Sequence, residues 1–438
     1  MPDHSGRQEK KPMNVLYLPR WYPNRYDPMP GLFIERHARS VAPFCKIAVL
    51  YVHPDQSLKE KHYEIVEQKD KELFQVKVYF KFSSSKIPGI AQSKNACRYL
   101  ASHIRGYRLL KKKFGKPDLI HVNVLTRLGF LALIYKFFTG TPYLITEHWT
   151  RYLPMTDTYH GYLRKLLTKL IVRKASAVLP VTDNLRKAME GHGLRNRNYQ
   201  VVPNVVDVSL FNVAGGETKF AVGGSQFAVG GNQSGEASQP KTENSKPETG
   251  NRKLETGNRL KKLIHVSCFE DKQKNISGLL HVLKKLSQTR HDWQCDMVGE
   301  GIHYEKLVRY ADELGIKDRF VFFRGLKENE ELVSLMQEAK FQVMFSRFEN
   351  LPVVILESYA CGVPVLSTDV GGISEHMNPD LGVLIPSEDE TALFDQLNYM
   401  LDHNDQYNKA RIRKYAEDHF SREVIGKRLF SIYQKVLA

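Results

Sequence analysis

The chain has 438 residues, enough for two or three domains with large cores, and 42% of it is hydrophobic, as in an ordinary globular protein. Its most apolar stretches, such as GFLALIYKFF at 129–138, are too short for a bilayer and contain a lysine, while five cysteines without a CxxC pair argue against a disulfide framework or a thiolate metal site. The net charge of +16 is lopsided: residues 1–211 hold 35 Lys and Arg against 16 Asp and Glu, a net +19, and the remainder carries −3, so the N-terminal half is the part that attracts phosphates.

Along the chain, MPDHSGRQEKKPMN is polar and lacks an apolar signal core, which sets the expected location in the cytoplasm. NVLYL at 14–18 reads as a buried strand, and GLFIERHARSVAPF has helical spacing. PDLIHVN (strand), LGFLALIYKFF (helix), TPYLITEH (strand), YLRKLLTKLIVRK (helix) and SAVLPVT (strand) follow. Strands alternating with helices indicate a doubly wound parallel sheet over 13–211.

Residues 212–261 lose apolar periodicity and are rich in Gly, Ser, Asn, Gln and Lys, with KFAVGG echoed by QFAVGG and ETGN recurring. This segment reads as a low-complexity, disordered insertion. Over 262–418 the alternation returns, from LIHVSC through FQVMFS to VPVLST, giving a second doubly wound domain. DHFSREVIGKRLFSIYQKVL reads as one amphipathic helix over 419–438. Two such domains imply a cleft between them where ligands bind.

Within the second domain, RFENLPVVILESYACGVPV at 347–365 places Glu357 in a helix that is apolar nearly all round. The helix is expected to begin at Pro352 and end at Gly362. Asn350, Leu351 and Val353 then offer amides at a positive helix end, an anion site. A buried carboxylate is costly without partners. Two partners fit Glu357: paired sugar or ribose hydroxyls, or an internal Arg or Lys.

The pattern Glu349-x7-Glu357 followed by ACGVPV resembles family 4 of the retaining glycosyltransferases of GT-B fold (glycosyltransferase group 1). LPRWYP…GLFIERHARSVAP, PDLIHVN, TEHW, VPNVVD, DMVGEG, FRG and DVGGISE match the family's other landmarks in order, over almost the whole chain except the insertion. The resemblance implies two Rossmann-like domains facing a cleft, with the C-terminal helix crossing back to the first. It implies that Glu357 holds the ribose of a sugar nucleotide and that Glu349 contacts the donor sugar. It further implies that the amides of 350–353, with Leu351, Pro352 and Val353, face sugar and phosphates. Asn350 stands where the family usually has Gly, and Asn tolerates a turn backbone.

Lys274 matches the family lysine that neutralises the donor diphosphate. An arginine six residues earlier in the family is Cys268 here, and Arg347 is the candidate substitute. Gly31 is the glycine that lets backbone approach the diphosphate, His148 in TEHW the histidine near the reacting sugar, and Gly371 and Gly372 shape a nearby turn. Glu147 is read as structural.

The implied activity is hexosyl transfer from a UDP- or GDP-linked sugar to a glycan or lipid-linked acceptor with retention of configuration, in surface polysaccharide, lipopolysaccharide or glycolipid assembly. No DxD motif has a supporting context, so no essential metal or cofactor is expected. Residues 98–116 and 162–174 mix cations with Leu, Ile and Tyr, which suits peripheral contact with an anionic membrane on the inner face. No nucleic-acid module is present in the sequence. The competing readings are a GT-B-fold sugar-nucleotide epimerase and a non-catalytic basic phosphate- or lipid-binding protein.

Overall fold

The computed structural model describes residues 12–84, 89–156, 158–213 and 260–438, so most of the expected 212–261 insertion lies outside the described residues. The first sheet grows from apolar runs buried over their whole length, β1 (Asn14–Pro19), β5 (Leu119–Asn123), β6 (Tyr143–Glu147) and β7 (Ala177–Pro180). Complete burial is what a parallel strand with helices on both faces requires. Between them come α1 (Leu32–Val41), α2 (Ile90–Lys113), α3 (Thr126–Thr139) and α4 (Tyr162–Lys174), with α5 (Asp183–Gly191) closing the domain. The sequence reading passed over β2 (Lys46–Asp55), β3 (Tyr63–Lys69) and β4 (Leu73–Lys81). The sheet order is β3-β4-β2-β1-β5-β6-β7, parallel except for the β3–β4 hairpin at the edge.

The second domain holds β8 (Lys261–Val266), α6 (Asp271–Lys274), α7 (Ile276–Thr289), β9 (Trp293–Val298), α8 (Tyr304–Glu313), β10 (Val321–Gly325) and α9 (Asn329–Glu338). It continues with β11 (Phe341–Met344), α10 (Val353–Ala360), β12 (Val365–Thr368), β13 (Gly382–Ile385) and α11 (Glu390–His403). Its wholly parallel order β10-β9-β8-β11-β12-β13 is that of a dinucleotide-binding sheet and reverses between β8 and β11. In the first sheet the reversal falls between β1 and β5.

The helix expected over 419–438 is interrupted. α12 (Lys409–Phe420) stops at Ser421, whose backbone is extended and whose hydroxyl caps α13 (Arg422–Leu437). That corner redirects the chain onto the first domain. A Cβ on Gly426 would lie 1.9 Å from the Ser40 carbonyl oxygen of α1, so glycine permits helix-to-helix contact there. Ile425, Leu429, Ile432 and Tyr433 are buried among residues of β1, β2 and α1. The Tyr433 hydroxyl bonds Tyr17 at 2.7 Å and His121 Nδ1 at 2.6 Å beneath the first sheet.

Candidate functional site

α10 begins one residue later than its sequence suggested: Pro352 is the N-cap and Val353 the first helical residue. Gly362 adopts a left-handed backbone (φ 69°) just past the helix, and its amide and that of Val363 satisfy the Tyr359 and Ser358 carbonyls. The helix N-terminus points from the end of β11, beside the end of β8, at the reversal of the second sheet. Open α/β sheets bind ligands at that position.

Lys274, at the end of α6, reaches into this crevice and meets Glu349 at 2.5 Å. Both are buried, at 8% and 4% exposure. The carboxylate also accepts from Ser346 Oγ at 2.9 Å and Gln273 Nε2 at 3.4 Å, so its ground-state partners all come from its own domain. Burial works against the Lys274 ammonium, but Glu349 outweighs it and holds the pKa above the ordinary lysine value. The lysine therefore stays charged.

Glu357 is 5% exposed, and its Oε1 accepts from Arg36 Nη1 at 2.7 Å. Arg36 belongs to α1 of the facing domain, so this cation spans the cleft. Of the two partners the sequence left open, the ground state holds the cation, at the interdomain surface where a ligand would also reach.

Asn350 is buried and does not use a left-handed backbone. Its role is interdomain: Nδ2 donates to the His148 carbonyl at 3.0 Å, and Oδ1 accepts from Thr182 Oγ1 at 2.8 Å. Asn204 Nδ2 donates to the Leu351 carbonyl at 2.9 Å, and Glu375 accepts from the Asp183 and Asn184 amides at 2.7 and 2.6 Å, capping α5 from the other domain. Arg36, Thr182, Asn204 and Glu375 were missed by the sequence reading. Asn204 and Glu375 stand within the VPNVVD and DVGGISE landmarks, which marked the place without assigning the role.

His148 follows β6 at the cleft. Its Nδ1 faces Asn204 Oδ1 at 3.2 Å, so that nitrogen carries the proton. Burial, reinforced by His37, holds its pKa far below the ordinary value. It is a neutral imidazole whose buried Nε2 has no partner among the described residues. Glu147 accepts from the amides of Leu125, His148 and Trp149 at 2.9 to 3.0 Å, and burial pushes its carboxyl up to about 6. It ties two loops together, as its structural reading had it. One of them holds Val124 at φ 72°, a strain of about 1–3 kcal/mol for a β-branched residue.

Gly31 (φ 76°) is the N-cap of α1, and a Cβ there would lie 2.1 Å from the Trp21 carbonyl oxygen. The close approach it permits is to its own chain. Arg347 is engaged by Glu388 at 2.7 Å and by the Asp271 carbonyl at 2.9 Å, which anchors the loop carrying Lys274; Cys268 is exposed nearby. A Cβ on Gly371 would strike the Glu349 carbonyl at 2.1 Å, and one on Gly372 would strike Thr182 Cγ2 of the facing domain at 2.2 Å.

The structure thus brings His148, Lys274, Glu349, Asn350, Leu351, Pro352, Val353 and Glu357 to one interdomain seam. Gly31 and Arg347 support that seam from behind. Glycosyl transferases group 1 matches residues 248–419, and Glycosyltransferase Family 4 matches residues 63–210. The chain is 31% identical over 180 residues to N-acetyl-alpha-D-glucosaminyl L-malate synthase of Bacillus anthracis, covering 40% of this chain and 46% of that one. It is 28% identical over 173 residues to the GDP-mannose-dependent monoacylated alpha-(1-6)-phosphatidylinositol monomannoside mannosyltransferase of Corynebacterium glutamicum, covering 37% and 44%. The chain therefore spans under half the length of these relatives in each match. Sucrose-phosphate synthase from Thermosynechococcus elongatus shares the fold, with a TM-score of 0.69 at 16% identity over 97% of this chain and 99% of that one. With family models matching residues 63–210 and 248–419 in turn, the chain belongs to glycosyltransferase family 4, the group 1 transferases, and its fold is the two-domain GT-B architecture.

Proposed function

We propose that this chain moves a hexosyl unit from a UDP- or GDP-linked sugar to an acceptor hydroxyl, with retention of configuration, in surface polysaccharide, lipopolysaccharide or glycolipid assembly. One observation carries the reading: Lys274, Glu349 and Glu357 converge at the N-terminus of α10 on the reversal of the second sheet. Lys274 and the first amides of α10 supply positive charge for the diphosphate, whose negative charge grows as the glycosidic bond breaks. Glu357 retains a second carboxylate oxygen for a ribose hydroxyl. His148, neutral with a free Nε2, accepts from a sugar hydroxyl rather than donating a proton. The departing phosphate takes the acceptor's proton on the same face, and the protein contributes orientation and charge. No metal is required, because Lys274 is the cation at the leaving group.

The relatives lend the acceptor class. One is named for L-malate and another for a phosphatidylinositol mannoside. The second name fits the surface of the N-terminal domain. On α4, Tyr162 (80% exposed) and Leu163 (77%) stand beside Arg164 and Lys165, and α3 exposes Phe137 and Phe138. Large exposed apolar side chains interleaved with cations suit an anionic membrane carrying the acceptor. Among the described residues no helix is long and apolar enough to cross a membrane.

Thermal shift against UDP, GDP, ADP and their sugars tests the donor half. Stabilisation by one nucleotide, lost in Lys274→Gln, is the expected result, and no response to any nucleotide refutes it. Co-sedimentation with vesicles with and without anionic lipid tests the membrane half, with binding expected only to the anionic vesicles. Equal, negligible binding to both defeats it.

A further inference from the structure

His148 is held at the seam by two asparagine amides, one from each domain. Asn350 of the second domain donates its Nδ2 to the His148 carbonyl at 3.0 Å. Asn204 of the first domain presents Oδ1 to His148 Nδ1 at 3.2 Å and gives its Nδ2 to the Leu351 carbonyl of the second domain at 2.9 Å. Asn204 and His148 are both buried, so water does not stand in for either partner. The segment carrying Asn204 is itself pinned. His37 Nε2 donates to the Pro203 carbonyl at 2.9 Å, and the Val202 amide donates to the Pro180 carbonyl at 3.0 Å. Phe33 and His37 of α1 pack against the His148 ring, with centroids 4.6 and 5.3 Å away.

An asparagine amide donates at one end and accepts at the other, and half a turn exchanges the two. Here the choice is made across the seam. A carbonyl oxygen only accepts, so Leu351 must meet Nδ2. The reverse orientation would set Oδ1 against that oxygen, two buried acceptors with no proton between them. With Nδ2 committed to Leu351, Oδ1 faces His148, and a facing acceptor keeps the ring proton on Nδ1. Burial keeps that ring neutral, with a single N–H. Nε2 is left with its lone pair, and it has no partner among the described residues. Once the Leu351 carbonyl is withdrawn, nothing fixes the amide: either end serves Nδ1, and the ring takes either tautomer.

We propose that Asn204 is a positioning residue that couples closure of the two domains to the tautomer of His148. The second domain orients the amide through Leu351, and the amide decides which ring nitrogen accepts. The consequence for transfer rests on the transferase reading, whereas the tautomer does not. On that reading Nε2 accepts from a hydroxyl of the donor sugar. The other tautomer would make the hydroxyl accept instead, drawing electron density from a sugar ring that becomes positive as the glycosidic bond breaks. The accepting form of His148 is therefore prepared only when the seam is shut.

The test is two-bond nitrogen–proton NMR at neutral pH on protein carrying isotope-labelled histidine, in which protonated and bare ring nitrogens resonate far apart. The His148 signals are those missing from His148→Gln. The wild type is expected to show one tautomer, protonated at Nδ1. Asn204→Leu, similar in shape but without either end of the amide, is expected to show a mixture or Nε2 protonation. Its nucleotide release from UDP-glucose or GDP-mannose, whichever the wild type turns over, should fall about tenfold or more. Asn204→Asp retains an acceptor and is expected to return the proton to Nδ1. A wild type protonated at Nε2 overturns the proposal, as does the Nδ1 form surviving in Asn204→Leu. Its loss in Asn204→Asp does so too, because the loop rather than the acceptor would then set the ring. Gly372→Ala probes the coupling with Asn204 and His148 intact, since its methyl would press on Thr182 across the seam. The tautomer is expected to mix in step with a rise in the radius of gyration, and either change without the other overturns closure as the cause. Should the tautomer follow Asn204 while His148→Gln releases nucleotide at the wild-type rate, the sugar contact fails and the control of the tautomer stands.

Discussion

Arg36 of α1 and Glu357 of α10 join the two domains across the cleft, Nη1 to Oε1, at 2.7 Å. The carboxylate is 5% exposed, so removing its cation leaves a charge that water reaches poorly. The pair fixes the orientation of Glu357 through Oε1 while leaving Oε2 for a ligand. On the proposed donor reading, the side chain is held in place for a ribose before any nucleotide arrives.

Glu357→Ala is expected to weaken binding of the preferred nucleoside diphosphate about tenfold or more, as for a lost charge-assisted hydrogen bond. Its sharper signature is selectivity. The wild type should prefer the ribo- over the 2′-deoxyribonucleotide by a similar factor, and the variant should not, because the deoxy ligand never made the bond. Equal affinities for the two ligands in the wild type exclude the ribose role.

Lys274→Gln is expected to lower turnover by about a hundredfold or more while the fold survives, because it removes a charge facing the leaving group. Lys274 has a raised folded-state pKa, so its contribution to stability is complete below the unfolded value near 10.5. That contribution is lost as pH rises through the folded value. Melting curves for wild type and Lys274→Gln should therefore stay apart up to about pH 10.5 and converge only above it. Activity surviving excess chelator checks the metal-free mechanism at the same time.

Much of this site was legible in sequence because its logic is local. The Glu349 to Glu357 spacing, Pro352 before an apolar helix and Gly362 after it are short-range signals, and each found its place within a residue. What the sequence hid is the closure chemistry. Asn350 was read as a substitute turn former, yet its amide bridges His148 and Thr182, which lie 202 and 168 residues away. Arg36 drew no reading of its own within a segment of helical spacing, because nothing in its own turn shows that α10 faces it. The break at Ser421 was invisible for the opposite reason: both flanking segments have helical periodicity, and only the corner onto the first domain requires the interruption.

Acid should destabilise the protein. Burial holds His37, His103, His265 and His376 to about 4, and places His121 and His148 far below the ordinary value. His37 Nδ1, His103 Nε2 and His148 Nε2 are buried without partners among the described residues, as neutral rings require. A depressed folded pKa gives stability that is complete above the unfolded value near 6.5 and lost as pH falls toward 4, about 1–2 kcal/mol per histidine by pH 5. Glu147, raised to about 6, acts oppositely: its contribution is complete below the unfolded value near 4.5 and lost as pH rises through 6, worth about 2 kcal/mol. Six histidines outweigh one glutamate, so Tm should fall steadily from pH 6.5 to 5. A flat Tm over that interval contradicts the burial of these rings as neutral groups.

Asn350→Gly restores the residue usual in the family and deletes both bonds of its amide. Each is buried and worth about 1 kcal/mol. The donor KM is expected to rise several-fold with Tm little changed, because the bonds join domains rather than hold either one together. Small-angle scattering without ligand should show a larger radius of gyration than the wild type. An unchanged radius and KM would mean that closure is held elsewhere, by Arg36 and Glu375.

Gly372→Ala separates closure from folding most cleanly. The residue has φ −102°, which alanine adopts freely, so the second domain loses nothing by the change. Across the seam, however, the new methyl would lie 2.2 Å from Thr182 Cγ2, well inside contact distance. Thr182 cannot yield easily, since its hydroxyl caps α5 through the Leu185 amide at 3.0 Å and bonds Asn350 at 2.8 Å. The domains are therefore expected to stop short of full closure. Nucleotide binding, which needs only the second domain's face, should fall little, while kcat drops about tenfold or more through misplacement of the reacting groups. A variant with native kcat would show that the seam reopens before transfer, and that the closed contacts seen here belong to a resting state.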